Sequence, residues 1–204
     1  MCSVYTKCIK DNEYLNLQKV EKALKILQKK NIILKKEQKE VIFNLLNHLS
    51  VIAVLPTGFG KSLCFQIPMV ILEGLTIVIS PLIALMNDQV QQLWEVGINS
   101  YFLSSDMLKE ATATVLEALA SGQVKCLFLT PERLTLIFLE KYLKKIEISQ
   151  VVIDEAHCIF QWGNTFSIHS SSEVFAIFCL SSFVLFGYTL GGRGRTTFAH
   201  FQDF

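Results

Sequence analysis

The sequence predicts an α/β domain with a mainly parallel sheet flanked by helices and preceded by two N-terminal helices. Two observations carry this. Four short apolar runs without polar alternation recur along the chain, VIAVL (51–55), LTIVIS (75–80), VKCLFLT (124–130) and QVVID (150–154), as expected of strands buried on both faces. Helical stretches separate them, which is the pattern of parallel strands joined by crossovers.

In chain order, Leu17, Val20, Leu24 and Leu27 recur at helical spacing, and Val41, Ile42, Leu45, Leu46 and Leu49 do so again. The strand VIAVL then runs through a glycine-containing turn into the apolar stretch Leu63–Ile67. After LTIVIS, the stretch LIALMNDQVQQLWEVG reads as a helix ended by Gly97 at C′. After VKCLFLT a further helix is expected, with Pro131 at its first position and Glu132 beside the positive helix end. QVVID is the last clear strand, and a ligand of such a sheet belongs at the carboxyl ends of the strands.

Composition bounds the function. The 204 residues fit one domain with a sizeable core, and 51% hydrophobic against 18% charged residues excludes a disordered or fibrous chain. The net charge of +1 steers nothing globally, but all 16 Lys precede residue 146 and ten lie in residues 1–47 against five acids. That basic excess either attracts phosphate or simply solvates helix faces. Six Cys at 2, 8, 64, 126, 158 and 179 form no CxxC pair and no metal spacing with His, so neither zinc nor a disulfide framework is indicated and a reducing compartment is expected. The start MCSVYTKCIKDNEYL has no apolar core and does not read as a secretory leader.

The first chemical motif is Pro56-Thr57-Gly58-Phe59-Gly60-Lys61-Ser62, between a strand and a helix start. Gly58 and Gly60 allow positive φ and close approach to an anion, and N–H groups at a helix start point at phosphate oxygens. Lys61 is expected on the β and γ phosphates and the Ser62 hydroxyl on Mg²⁺. The strict GxxxxGK[ST] pattern is not met, because Leu55 occupies the position of the first Gly. The second motif is Asp154-Glu155-Ala156-His157, delivered to a strand's carboxyl end by Val151-Val152-Ile153. Asp154 would hold Mg²⁺, and Glu155 would orient and deprotonate the attacking water. Such a pair alone serves as often as a helix cap. With a phosphate loop 93 residues upstream, counted from Lys61 to Asp154, it favours a nucleotide hydrolase.

Together these residues resemble the first, RecA-like motor lobe of a superfamily-2 helicase, and more narrowly a RecQ-type DNA helicase. The narrower resemblance rests on the strings Leu55–Pro68, Ile79–Val90, Leu129–Leu134 and Asp154–Gly163, and on Gln38, 23 residues before Lys61. It covers residues 34–163, leaving 1–33 as a helical lead-in and 164–204 as a divergent apolar tail. It implies ATP-driven 3′ to 5′ unwinding of DNA, with ATP and Mg²⁺ as cofactors. Lys35, Gln38, Thr57, Gly58, Phe59, Gly60, Lys61 and Ser62 would bind ATP, and Lys61, Asp154, Glu155 and His157 would form the catalytic set. Lys35 replaces the family's usual Arg. Ser80, Pro81, Leu82, Asn87, Gln89, Thr130, Pro131, Glu132 and Arg133 lie where the family contacts single-stranded DNA, and Gln161 and Trp162 fall in the loop that couples DNA to hydrolysis. The location implied is nuclear in a eukaryote and cytoplasmic otherwise.

Departures begin after Gly163, where the family's His-Asp-Phe-Arg-Pro is replaced by Asn164-Thr165-Phe166-Ser167-Ile168. The family's Ser/Thr-Ala-Thr motif, on a strand between the phosphate-loop and DEAH strands, has no clear counterpart. Phe183–Thr189 offers an apolar strand at a suitable distance, but its Gly187-Tyr188-Thr189 end matches poorly. The second motor lobe and the family's zinc-binding region have no counterpart in these residues, so the rival reading is an ATP- and DNA-binding fragment without unwinding. An RNA helicase is disfavoured by the Ser-Leu-Cys-Phe-Gln and Cys-Ile-Phe-Gln-Trp strings. Residues 174–192 form a 19-residue uncharged run, readable as a membrane anchor or as translated non-coding sequence. The second is favoured because a DNA motor has no use for a membrane span, so no membrane partner is expected.

Overall fold

The computed structural model describes residues 16–29, 31–56, 58–133 and 138–154, and the backbone of 182–187. Helix α1 (16–26) and helix α2 (Lys36–Leu46) lead into strand β1 (Val51–Val54) and helix α3 (Lys61–Ile71). Strand β2 (Leu75–Ile79), helix α4 (Ile83–Glu95), strand β3 (Ser100–Leu103) and helix α5 (Lys109–Ala120) follow. Strand β4 (Cys126–Leu129), a 3₁₀ turn (Pro131–Arg133), a short π-helical turn (Leu139–Leu143), strand β5 (Ile148–Ile153) and strand β6 (Ser182–Gly187) complete the described elements. The helix expected to open at Pro131 is, over the described residues, this 3₁₀ turn, closed by the Arg133 N–H donating to the Thr130 carbonyl at 3.0 Å.

Six strands form one sheet in the order β1-β6-β5-β2-β4-β3, and every pairing is parallel. Neighbouring residues of a strand serve opposite faces, which explains the absence of polar alternation. Val78, Cys126, Phe128 and Val152 pack with α1 to α4 on one face. Leu75, Ile77, Ile79, Leu127, Leu129 and Val151 pack with α5 on the other. Burial pushes the Cys64 thiol up to about 12 and the fully buried Cys126 thiol up as well, so both pack as small apolar groups.

Gly97 ends α4 as expected. Its φ is +79°, the Ile98 N–H donates to Leu93 O and the Gly97 N–H to Trp94 O, each at 2.9 Å. This is the Schellman arrangement. Strand β6 lies between β1 and β5, with Val184 opposite both Val51 and Val152. It fills the sheet position that the sequence left without a clear motif. Among the described residues no helix is long and apolar enough to cross a membrane.

Candidate functional site

Parallel pairing aligns the strand ends that carry the chemistry. The Asp154 N–H donates to Ile79 O at 2.9 Å, Ser80 N–H to Leu129 O at 3.0 Å, and Thr130 N–H to Leu103 O at 3.1 Å. Asp154, Ser80, Thr130 and Ser104 therefore form one row along the carboxyl edge. Behind that row, Ser62 at the start of α3 and Asp154 line one small open recess. Phe65, Val78, Ser80, Leu85, Met86, Gln89 and Phe128 line the rest of it.

The phosphate loop is held in place before any ligand enters. Gly58 and Gly60 adopt φ of +71° and +83°, and Gly60 is the N-cap of α3. Gln38, only 3% exposed, accepts from the Lys35 N–H through Oε1 at 2.8 Å. Its Nε2 donates to Phe59 O at 2.9 Å and to Gly60 O at 3.2 Å. The φ of Gly60 favours glycine there, and a Cβ would lie 2.8 Å from that Nε2, so any larger residue would also push the Gln38 amide off the loop carbonyls. The Lys35 ammonium lies 3.9 Å from the centroid of the Phe59 ring, a cation–π contact that ties the start of α2 to the same loop. Lys61, half-buried, is the first residue of α3. Its backbone amide belongs to the helix start that faces the loop.

The residues expected to meet nucleic acid divide in two. Ser80 is buried and Gln89 half-buried, and both line the recess with Ser62 and Asp154. Leu82, the N-cap of α4, is 50% exposed, Asn87 is exposed and Pro81 half-buried. Thr130 is buried with no hydrogen-bond partner for Oγ1 among the described residues. Pro131 is buried and Glu132 exposed. Arg133 turns back on the protein: Nε donates to Ser104 O at 2.7 Å and Nη2 to Thr112 Oγ1 at 3.4 Å, stapling the β3–α5 loop to the turn after β4. In that loop the Ser104 hydroxyl donates to Asp106 Oδ1 at 2.5 Å and holds this exposed carboxyl below its ordinary range. Thr57, Glu155, His157, Gln161 and Trp162 lie outside the described residues.

A hard cation suits the donors that do meet. Ser62 and Asp154 offer oxygen ligands to one space, and Mg²⁺ characteristically takes one or two carboxylates while phosphate and water fill its remaining positions. Among the described residues no three His, Cys, Asp or Glu side chains gather, as a cage of protein ligands for a metal would require. Two buried amides carry no role in the sequence reading. Gln66, 6% exposed, donates through Nε2 to Gln89 Oε1 at 2.8 Å. Gln150 donates to Phe65 O at 2.8 Å and to Thr76 Oγ1 at 3.2 Å. The signal for Gln66 was an amide inside the otherwise apolar stretch Leu63–Met69, which is buried throughout.

An all-parallel sheet with a glycine loop leading into α3, and with Ser62 and a strand-end aspartate lining one recess, defines a phosphate-loop α/β domain of RecA type. The family is narrower: the chain belongs to the DEAD/DEAH box helicases, whose family model matches residues 35–182. It is similar to the ATP-dependent DNA helicase RecQ of Bacillus subtilis, 50% identical over 113 residues, which cover 55% of this chain and 19% of that protein. The RecQ protein of Haemophilus influenzae is 46% identical over 132 residues, 65% of this chain and 21% of the relative. The ATP-dependent DNA helicase Q-like 5 of Arabidopsis thaliana is 45% identical over 130 residues, 63% of this chain and 14% of that protein. The chain thus spans about a fifth or less of the length of these relatives. The crystal structure of the DUF1998 helicase MrfA bound to DNA and AMPPNP shares the fold, with a TM-score of 0.61 and 19% identity over 85% of this chain and 26% of the other.

Proposed function

We propose that the chain acts as the ATP-binding motor lobe of a RecQ-type DNA helicase, working on single-stranded DNA and duplex junctions. The observation that carries this is the shared recess of Ser62 and Asp154 below a preorganised phosphate loop. In this reading, Lys61 and the amides at the start of α3 bind the β and γ phosphates. Ser62 and Asp154 hold Mg²⁺, which neutralises phosphate charge when bound. Glu155 orients the attacking water and takes its proton, and His157 completes the set of strand-end polar groups. Pro81, Leu82 and Asn87 offer a sequence-independent surface to the DNA backbone, and Thr130 to Arg133 form the neighbouring turn, its Arg133 side chain held by Ser104 and Thr112. Gln161 and Trp162 relay its occupancy. Residues 34–163 carry these motifs, with 1–33 and 164–204 flanking them. The relatives' bacterial and eukaryotic occurrence supports a cytoplasmic or nuclear setting respectively.

Gln38 gives this reading a specific test. It sits where the resemblance implies an adenine-reading residue, and both ends of its amide already serve the chain, so reading adenine exchanges a loop or backbone bond for one to the base. The parent chain is expected to prefer ATP over GTP and CTP, and Gln38→Ala to reduce that preference by about tenfold, the worth of one or two hydrogen bonds. Competition titrations with the three triphosphates measure it. Equal affinities in the parent chain would remove adenine reading from Gln38.

A further inference from the structure

We infer that Gln89 is a nucleotide-binding residue that senses the γ-phosphate end of ATP, and that Gln66 is the positioning residue that aims it. This rests on the nucleotide-site reading above and assigns Gln89 a role other than DNA contact. Ser62 and Gln66 are four residues apart on α3 and share a helix face. Gln66 Nε2 donates to Gln89 Oε1 at 2.8 Å, across from α3 to α4. That bond fixes the Gln89 carboxamide through its oxygen, while its NH₂ group has no partner among the described residues. Gln89 lines the same recess as Ser62 and Asp154. A donor held there by a second amide is suited to an anionic oxygen beside the cation site.

The surroundings of Gln66 strengthen the assignment. It is nearly fully buried in a helix whose residues from Leu63 to Met69 are all buried, where an apolar side chain would cost no desolvation. The amide meets its hydrogen-bonding need on Gln89, so the feature it serves is the orientation of Gln89. Asn87, two residues before Gln89, sits about 200° around the helix and is exposed. Helix α4 therefore has a nucleotide-side face bearing Gln89 and an outer face bearing Asn87, and Gln89 reports the state of the nucleotide to the element that carries the outer face.

The test uses the full chain with Mg²⁺, titrated with ADP, with the non-hydrolysable analogue AMPPNP, and with a labelled oligothymidylate at several salt concentrations. Gln89→Leu is expected to lower AMPPNP affinity by about five- to tenfold, as for loss of one hydrogen bond to a charged group, with ADP affinity within about twofold of the parent. Oligothymidylate affinity and its salt slope should stay unchanged. Gln66→Leu should reproduce the AMPPNP loss, because Gln89 is then unaimed. A merely structural role for Gln66 would lower ADP and AMPPNP affinity equally and overturn the positioning role. Lost DNA affinity with unchanged nucleotide binding in Gln89→Leu would return Gln89 to the DNA surface and overturn the assignment. Failure of the parent chain to bind either nucleotide would instead overturn the nucleotide-site reading itself.

Discussion

Lys61→Ala is expected to weaken ATP binding by about ten- to a hundredfold, the equivalent of the roughly 1.5–3 kcal/mol carried by a hydrogen bond to a charged group. The size follows from position. Lys61 opens α3 directly after Gly60, where helix-start amides already favour an anion, and it adds a full positive charge beside them. The loop itself should survive the substitution, because its shape is set by Gln38 on the Phe59 and Gly60 carbonyls and by the two positive-φ glycines. An unchanged thermal midpoint alongside lost affinity, both measured on the purified variant, separates the missing cation from a collapsed loop. Equal ATP affinity in variant and parent would refute the role of Lys61.

Purified 204-residue polypeptide is expected to show no detectable strand separation, and at most a residual ATPase weakly stimulated by single-stranded DNA. In the proposed mechanism Ser62, Asp154 and Glu155 supply a cation site and a positioned water, but transition-state charge also calls for an arginine finger, worth about 10³- to 10⁵-fold in rate. Among the 204 residues the only arginines are Arg133, Arg193 and Arg195, and Arg133 is committed to Ser104 and Thr112. Stepping along DNA further needs two bodies that close and open around ATP, and the matched region corresponds to about a fifth of a RecQ relative. A fluorescent forked-duplex assay decides the point. Robust unwinding abolished by Glu155→Gln would show that self-association or the segment after Gly163 completes the motor.

The strands at 51–54, 75–79, 126–129 and 148–153 were legible because burial on both faces leaves uninterrupted apolar runs. Strand β3 was not, since SYFL is four residues long and its buried Ser100 masks the apolar pattern. The turn after Thr130 carried helix-start residues, and its described part, Pro131–Arg133, is a 3₁₀ turn, while residues 134–137 lie outside the described residues. Periodicity says which face of a sheet a residue serves, but not which face of a helix meets a ligand when both are polar. Asn87 and Gln89 therefore looked alike in sequence and separate only once α4 is packed against α3. Gln38 was singled out only by the family resemblance, and its bonds to Phe59 and Gly60 depend on how α2 lies against α3.

Calorimetric titration of ATP into the chain with and without Mg²⁺ decides whether Ser62 and Asp154 form the cation end of a nucleotide site. Saturable, one-to-one binding is expected that weakens by at least about tenfold when Mg²⁺ is removed, with that Mg²⁺ dependence largely lost in an Asp154→Asn variant. Absence of binding, or binding that ignores both Mg²⁺ and the Asp154 substitution, would contradict that cation site.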